Sequence, residues 1–185
     1  MKKPILLLTL LCTLVSFSQE TNDNFDTSKR DELKLNMTNL IAFKWLDVGY
    51  ERIINEESSF GVGTLISLGD NSDTGLDEYR TFSITPYYRH FFSKKYAQGF
   101  FVEAFSMLHT GKDETYVIYD TLPTSNGQYE EETYTDFAVG ISAGAKFVTK
   151  RGFIAEIYLG IGRDLLGNSY NEVVGRGGIS IGYRF

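Results

Sequence analysis

The last residues of the chain, 175–185, impose the strongest constraint on its fold. Ile179, Ile181, Tyr183 and Phe185 are apolar at every second position, and the residues between them are small or charged. This period of two residues predicts a β-strand with one apolar and one polar face. The strand ends on an aromatic residue, so we expect either a protein core or membrane lipid to cover its apolar face.

The membrane alternative gives the same strand a role in biogenesis. In an outer-membrane β-barrel, lipid covers the apolar face of each strand. We therefore expect Ile179, Ile181, Tyr183 and Phe185 to form the assembly signal that the barrel-assembly machinery uses during insertion.

Residues 1–18 have the features of a cleaved secretory signal peptide. Two lysines precede an apolar run, and Ser16 and Ser18 place small side chains at the positions that a signal peptidase reads. The run is shorter than the ~20 residues that a membrane-spanning helix requires. The single cysteine, Cys12, lies in this segment, so we expect no disulfide in the mature chain. Residues 19–33 are polar and aperiodic, which predicts a flexible periplasmic leader.

Composition favours a single sheet domain in the remaining residues, 34–185. The chain has 18 glycines and 15% aromatic residues but only 3 prolines, a balance typical of a closely packed β-structure. Its net charge is -6 and it has no basic stripe, so we expect no nucleic-acid partner.

Alternation and turn residues predict an all-β fold, an eight-stranded antiparallel up-and-down transmembrane β-barrel. Most of the strands approach the ~9–11 residues that cross a bilayer at a tilt. Short connections at 55–59, 93–98 and 150–151 alternate with longer ones at 69–79, 111–133 and 163–172, a pattern that places both termini in the periplasm. The predicted strands are 35–43, 46–54, 60–68, 80–92, 99–109, 134–149, 152–162 and 173–185.

Aromatic residues support this topology because they cluster at the predicted strand ends, as interfacial girdles do. A soluble lipocalin-like barrel, in which the aromatics form the core, is the alternative. The predicted periplasmic girdle is Phe60, Phe91, Phe92, Phe100, Phe101, Phe147, Phe153 and Phe185, and the outer one is Trp45, Tyr79, Phe82, Tyr134 and Phe137.

Several spaced motifs carry a family resemblance. They are Lys34-Leu35-Asn36, Gly49-Tyr50-Glu51-Arg52, Pro86-Tyr87-Tyr88-Arg89, Gly99-Phe100-Phe101-Val102-Glu103, Gly144-Ala145-Lys146, Gly162-Arg163 and Gly182-Tyr183-Arg184-Phe185. Over residues 34–185 the chain resembles a small outer-membrane barrel family that is catalogued as a domain of unknown function and is common in Gram-negative Bacteroidota. The resemblance implies an eight-stranded barrel similar to outer-membrane protein A, and it implies no activity.

Charged residues on the polar faces of the strands predict a lumen network. Charges removed from bulk water persist when they are paired and hydrogen-bonded, so we expect a salt-bridged, plugged interior. Pro86 interrupts one strand and predicts a bulge or a lost ladder bond. The predicted network consists of Lys34, Glu51, Arg89, Glu103, Lys146, Glu156 and Arg184.

The sequence favours a non-enzymatic barrel that stabilises the outer membrane or serves as an accessory subunit of a surface assembly. We expect no catalytic residue, cofactor or dedicated metal site, because His90 and His109 belong to no complete catalytic pattern. His90 is expected on the lipid side, and His109 near the outer rim. A lipid A-modifying hydrolase and a small-solute channel remain as alternatives.

The expected partners are outer-membrane lipid and lipopolysaccharide, the barrel-assembly machinery, and a protein that binds acidic extracellular loops. Tyrosines interleave with carboxylates in these loops, which suits a protein-binding surface. The acidic residues concerned are Asp70, Asp73, Asp77, Glu78, Asp113, Glu114, Asp120, Glu130, Glu131 and Glu132.

Overall fold

The computed structural model describes residues 28–69, 80–119, 126–167 and 172–185, and it describes side chains in these ranges except at 113–131. The predicted signal peptide, most of the predicted leader, and parts of the three longer connections lie outside the described residues.

The described residues form a closed barrel of eight antiparallel strands. Each strand pairs with the next in sequence, and the eighth pairs with the first. The predicted fold class is thus confirmed. In the part of the chain described here, no helix has the length and apolarity needed to cross a membrane. The strands are β1 Asp31–Asn36, β2 Trp45–Asn55, β3 Ser58–Ser67, β4 Phe82–Phe91, β5 Gly99–Tyr119, β6 Asn126–Val148, β7 Phe153–Asp164 and β8 Val173–Arg184.

The predicted first strand, 35–43, is wrong over most of its length. Residues Met37–Phe43 form a short helix, α1. The Asn36 side chain caps it by accepting a hydrogen bond from the Asn39 amide, and Lys44 ends it in the left-handed conformation. The Thr38 hydroxyl accepts the hydrogen bond of the Ile179 amide, so α1 continues the barrel wall beyond β1.

Strand β1 instead begins at Asp31, within the segment predicted as leader. In the backbone ladder, Glu32 lies opposite Glu51 of β2 on one side and opposite Arg184 of β8 on the other. This closing strand is therefore short, and it starts three residues before the predicted barrel boundary at 34.

Strands β5 and β6 form a longer hairpin than predicted. Their ladder continues from Gly111 opposite Tyr134 to Tyr119 opposite Asn126, through the predicted loop 111–133. The many carboxylates of this segment are typical of a loop and led to that prediction. The segment is also rich in β-branched and aromatic residues, which favour strands.

The outer surface of the barrel is apolar on every strand, whereas the alternate residues point inward. The predicted face of β8, with Ile179, Ile181, Tyr183 and Phe185, is about half exposed. We call the residues of this outer surface the apolar belt. It includes Leu33, Ile54, Phe60, Ile84, Tyr88, Phe92, Phe100, Leu108, Ile141, Phe147, Phe153, Ile157, Leu159, Ile161, Ile179, Ile181, Tyr183 and Phe185.

Four predicted girdle positions are wrong. One is Tyr134, which lines the lumen with its ring centroid 6.0 Å from that of the buried His109. Phe91 and Phe101 share the inward parity of Arg89 and Glu103, so both are buried inside the barrel, with ring centroids 5.7 Å apart. Trp45 is also buried, at the opposite end of the lumen.

At Pro86, β4 loses part of its ladder with β5 and has no bulge. The register with β5 passes from Ile84 opposite Leu108 to Tyr87 opposite Phe105 without a shift. Of the two predicted outcomes, a lost ladder bond is therefore the one observed, because proline has no amide hydrogen to donate.

Gly144 tests how tightly the inside is packed. A Cβ at this position would lie 2.4 Å from the Ile157 carbonyl oxygen and 2.7 Å from Phe101 Cζ. We expect Gly144→Ala to destabilise the barrel by roughly 1–3 kcal/mol, because rigid backbone is overpacked. The measurement is the urea midpoint of unfolding, followed by the gel mobility shift between folded and unfolded barrel.

Gly175→Ala is the matched control, since a Cβ there meets nothing within 4 Å. Equal unfolding midpoints for the two variants would contradict the packing described for Gly144.

Candidate functional site

The lumen contains a continuous ionic network, which we call the charge network. All seven charged residues predicted for it, Lys34, Glu51, Arg89, Glu103, Lys146, Glu156 and Arg184, are buried inside the barrel and make ion pairs. Because buried charges persist only when they are paired and hydrogen-bonded, the geometry of each pair decides whether the lumen is stable.

Glu51 is the acceptor at the centre of the charge network. Its carboxylate accepts hydrogen bonds from Lys34 Nζ at 2.5 Å, Lys146 Nζ at 2.5 Å and Arg89 Nη1 at 3.0 Å. The hydroxyls of Ser59 and Tyr87 add bonds of 2.6 and 3.1 Å. Five donors from four strands thus satisfy one buried carboxylate.

Arg89 connects Glu51 to the far wall. Its Nε donates to Glu103 at 2.7 Å, and its two terminal nitrogens bind the Glu156 carboxylate at 2.6 and 2.9 Å. The guanidinium also lies 4.0 Å from the centre of the Phe101 ring. Planar, bidentate recognition of this kind explains why arginine occupies the position.

Two further members of the charge network were not predicted. Glu32 accepts bonds from Lys146 at 2.8 Å and Arg184 at 2.8 Å, and Arg176 donates to Glu103. Both share the inward parity of predicted members, since Glu32 lies two residues before Lys34 and Arg176 lies eight residues before Arg184.

We call the end of the barrel where β1 begins and β8 ends the termini end. There, the turn between β4 and β5 folds under the lumen. Arg184 donates hydrogen bonds to the carbonyl oxygens of Tyr96 and Ala97 at 3.2 and 2.8 Å. Ala97 packs with Ile53 and Phe91 in a buried apolar cluster. The turn is therefore tied to the charge network above it.

The opposite end, which we call the loop end, contains a cavity of about 500 Å³. Residues from α1 and from strands around the barrel line it, including Asn39, Leu65, Met107 and Val174. A smaller space beside Arg89 holds only about 20 Å³, roughly the room needed for one water. Open volume is therefore concentrated above the charge network.

The two histidines lie in different environments. His90 is exposed on the outside, as predicted, with its ring 4.9 Å from that of Phe92 in an edge-on arrangement. His109, predicted at the outer rim as a loop residue, is 1% exposed and lines the loop-end cavity. Its Nε2 lies 2.8 Å from Asp164 Oδ1, and Ser83 is directly opposite it in the β4–β5 ladder.

The predicted acidic surface falls largely outside the described side chains. Glu132 is exposed on β6, whereas the other acidic residues of 113–131 and those of 70–79 are not described. The expected protein-binding role of these residues stays a prediction.

Comparison with known proteins adds one structural relative. The chain is similar to the N-terminal β-barrel domain of Pseudomonas aeruginosa OprF, with a TM-score of 0.53 and 12% sequence identity over 85% of this chain and 98% of that domain. No family model and no curated protein matches the sequence. At this identity the likeness shows the fold alone, so the resemblance to a Bacteroidota family stays a prediction.

Arg89 provides a test of the charge network. We expect Arg89→Ala to destabilise the barrel by about 3–5 kcal/mol, because it leaves the carboxylates of Glu51, Glu103 and Glu156 short of a buried counter-charge. The measurement is again the urea midpoint of unfolding of the refolded barrel.

Arg163→Ala is the control, since the Arg163–Glu172 pair is about 70% exposed on both sides and such pairs contribute about 0–1 kcal/mol. If the two alanine variants unfold at the same urea concentration, the charge network does not hold the barrel together.

Proposed function

We propose that the protein is an outer-membrane β-barrel with a plugged lumen, and that it works as a structural element or accessory subunit of a surface assembly. The observation that carries this proposal is the inverted polarity of the barrel. The apolar belt faces outward on every strand, whereas eleven of the described Asp, Glu, Lys and Arg residues are buried inside the barrel. In water such a belt would drive aggregation, whereas in a bilayer lipid covers it.

The plug follows from the filling of the lower lumen. The charge network crosses the interior, and the turn bearing Tyr96 and Ala97 lies beneath it. An eight-stranded barrel has an interior just wide enough for its side chains. A small-solute channel would need a continuous water path, which these contacts oppose.

The orientation belongs to the same proposal. Short turns lie at the termini end and longer connections at the loop end, so we place the termini end in the periplasm and the loop end outside. The barrel-assembly machinery then acts on β8, lipopolysaccharide surrounds the outer rim, and the acidic connections are available to a protein partner. A source among Gram-negative Bacteroidota is consistent with this arrangement.

Purification from isolated outer membranes in mild detergent tests the location and the accessory role. We expect the protein in that fraction, with faster gel migration before boiling than after, because the closed barrel resists detergent unfolding. A stoichiometric second protein that is retained with the barrel would support the accessory role.

In planar bilayers the same preparation should give no stepwise conductance, with a known porin as the positive control. Absence from the outer membrane would overturn the location, and regular conductance steps would overturn the plug.

One observation supports a second candidate, a hydrolase that modifies lipid A. Asp164, His109 and Ser83 lie together in the loop-end cavity, in the order carboxylate, base and hydroxyl. Asp164 would orient His109, which would take the proton of Ser83 as its oxygen attacks the carbonyl carbon of an acyl ester. His109 would then give this proton to the alcohol oxygen as the ester bond breaks, and water would release the acyl group from Ser83 by the same route. Active sites of this type are often loose until substrate binds.

Lipid A mass spectrometry separates this candidate from the structural role. If the protein is a hydrolase, Ser83→Ala and His109→Ala should each change the acyl chain content of lipid A as deletion of the whole protein does. Ser106→Ala, on the same strand as His109 but of opposite parity, is the control and should leave the lipid A mass unchanged. Unaltered lipid A after deletion excludes the hydrolase.

A further inference from the structure

The loop-end cavity combines a mainly apolar wall with one cation. Leu65, Met107 and Val174 contribute buried apolar side chains to its lining, and Arg80 lines the same space. Its volume of about 500 Å³ falls within the range of small-molecule sites, which are largely apolar with a few polar groups that fix orientation.

Arg80 lacks the counter-ion that its burial demands. The side chain is 8% exposed, and its Nη2 donates to the Gly175 carbonyl oxygen at 3.1 Å, while Nε is buried without an acceptor. Within the described ranges, no carboxylate lies within 4 Å of this guanidinium. Arg80 precedes β4, and burial lowers its pKa below the usual value for arginine, an effect that an adjacent anion would oppose.

The other charged groups that line the cavity already have partners. Arg176 pairs with Glu103, and Asp164 bonds with His109. Asp47 attracts Arg80 from beyond salt-bridge distance, but its Oδ2 is occupied by the side-chain amides of Asn36 and Asn39 at 3.0 and 2.7 Å. Among the described residues that line the cavity, Arg80 is therefore the cation without a carboxylate at salt-bridge distance.

Further unsatisfied polar atoms lie in the same lining. The indole Nε1 of Trp45 and the Nδ1 of His109 are both buried, and neither has a hydrogen-bond partner in the described structure. Buried polar groups without partners are rare, and several around one cavity point to a ligand that reorganises and satisfies them. A ligand with oxygen acceptors suits the Arg80 and Trp45 donors.

We propose that the loop-end cavity binds a small amphiphilic carboxylate, with the carboxylate on Arg80 and the hydrocarbon body between Leu65, Met107 and Val174. The carboxylate is preferred to a neutral ligand because it supplies the missing charge, and a planar carboxylate matches the fork of the guanidinium. This inference requires a folded barrel and neither of the functions proposed above.

Trp45 supplies a direct readout, since it is the single tryptophan of the chain and it lines the cavity. The barrel is placed in phosphatidylcholine nanodiscs and titrated with 6-bromohexanoate, whose bromine quenches indole fluorescence on contact. We expect saturable quenching. The neutral 6-bromohexan-1-ol, matched in length, should bind at least tenfold more weakly.

Arg80→Gln should weaken 6-bromohexanoate binding at least tenfold and leave the weak binding of the alcohol unchanged. Arg163→Gln, which removes an exposed positive charge, is the matched control and should bind as the wild type does. Val174→Phe should weaken quenching, because the larger side chain occupies part of the space left for the hydrocarbon body. The gel mobility shift verifies the fold of each variant. If a variant does not fold, the comparison of the acid with the alcohol in the wild type still tests the proposal.

Quenching that rises linearly without saturation, equal binding of acid and alcohol, or full binding by a folded Arg80→Gln would overturn the proposal. Competition by oleate placed in the nanodisc bilayer would assign the natural carboxylate to the membrane. Lack of competition, alongside saturable binding of the soluble acid, would assign it to the aqueous phase. Either result supports the carboxylate site.

Discussion

The mutual pairing of charges in the lumen is the interaction on which the rest of the barrel depends. Ladder hydrogen bonds join only neighbouring strands, whereas Glu51 on β2 is bonded to Lys34 on β1, Arg89 on β4 and Lys146 on β6. Glu156 on β7 is bonded to Arg89 as well. These contacts cross the lumen and fix distant walls relative to one another. A one-residue slip in any of these strands would turn its charge toward the apolar belt, so the charge network also penalises a wrong register.

Side-chain parity was predictable because the period of two is independent of where a strand ends. The inward positions of the predicted charges and the outward face of β8 follow from that period alone. The residues at which strands and helices begin and end were harder to predict. Met37, Ile41 and Phe43 fit a strand by parity, but the cap formed by Asn36 starts a helix instead. Phe91 and Phe101 were misplaced because their size suggests an interfacial girdle, whereas the same period of two places them inside, under Lys146 and Arg89 respectively.

The candidate site was harder to predict than the fold, because it depends on where the lumen is not filled. Large side chains such as Phe91, Phe101 and Arg89 occupy the termini end, whereas small ones such as Gly63 and Ser83 face inward at the loop end. Sequence shows these residue sizes but not how the walls approach each other. The pairing of His109 with Asp164 joins residues from different hairpins, and one sequence carries no signal for that contact.

The unequal filling of the lumen divides the barrel into two parts. The charge network stabilises one part, and the loop-end cavity leaves room for a ligand in the other. Charges in the charge network satisfy one another, so that region has little to offer a ligand. Arg80 differs because it lies just outside β4 and above the charge network, where the carboxylates of Glu51, Glu103 and Glu156 are engaged by other donors. A guanidinium kept buried there without a carboxylate at pairing distance costs stability. The proposed carboxylate ligand would supply the missing negative charge. In a purely structural loop end, only the Gly175 carbonyl and the more distant Asp47 would offset the cost of burying this arginine.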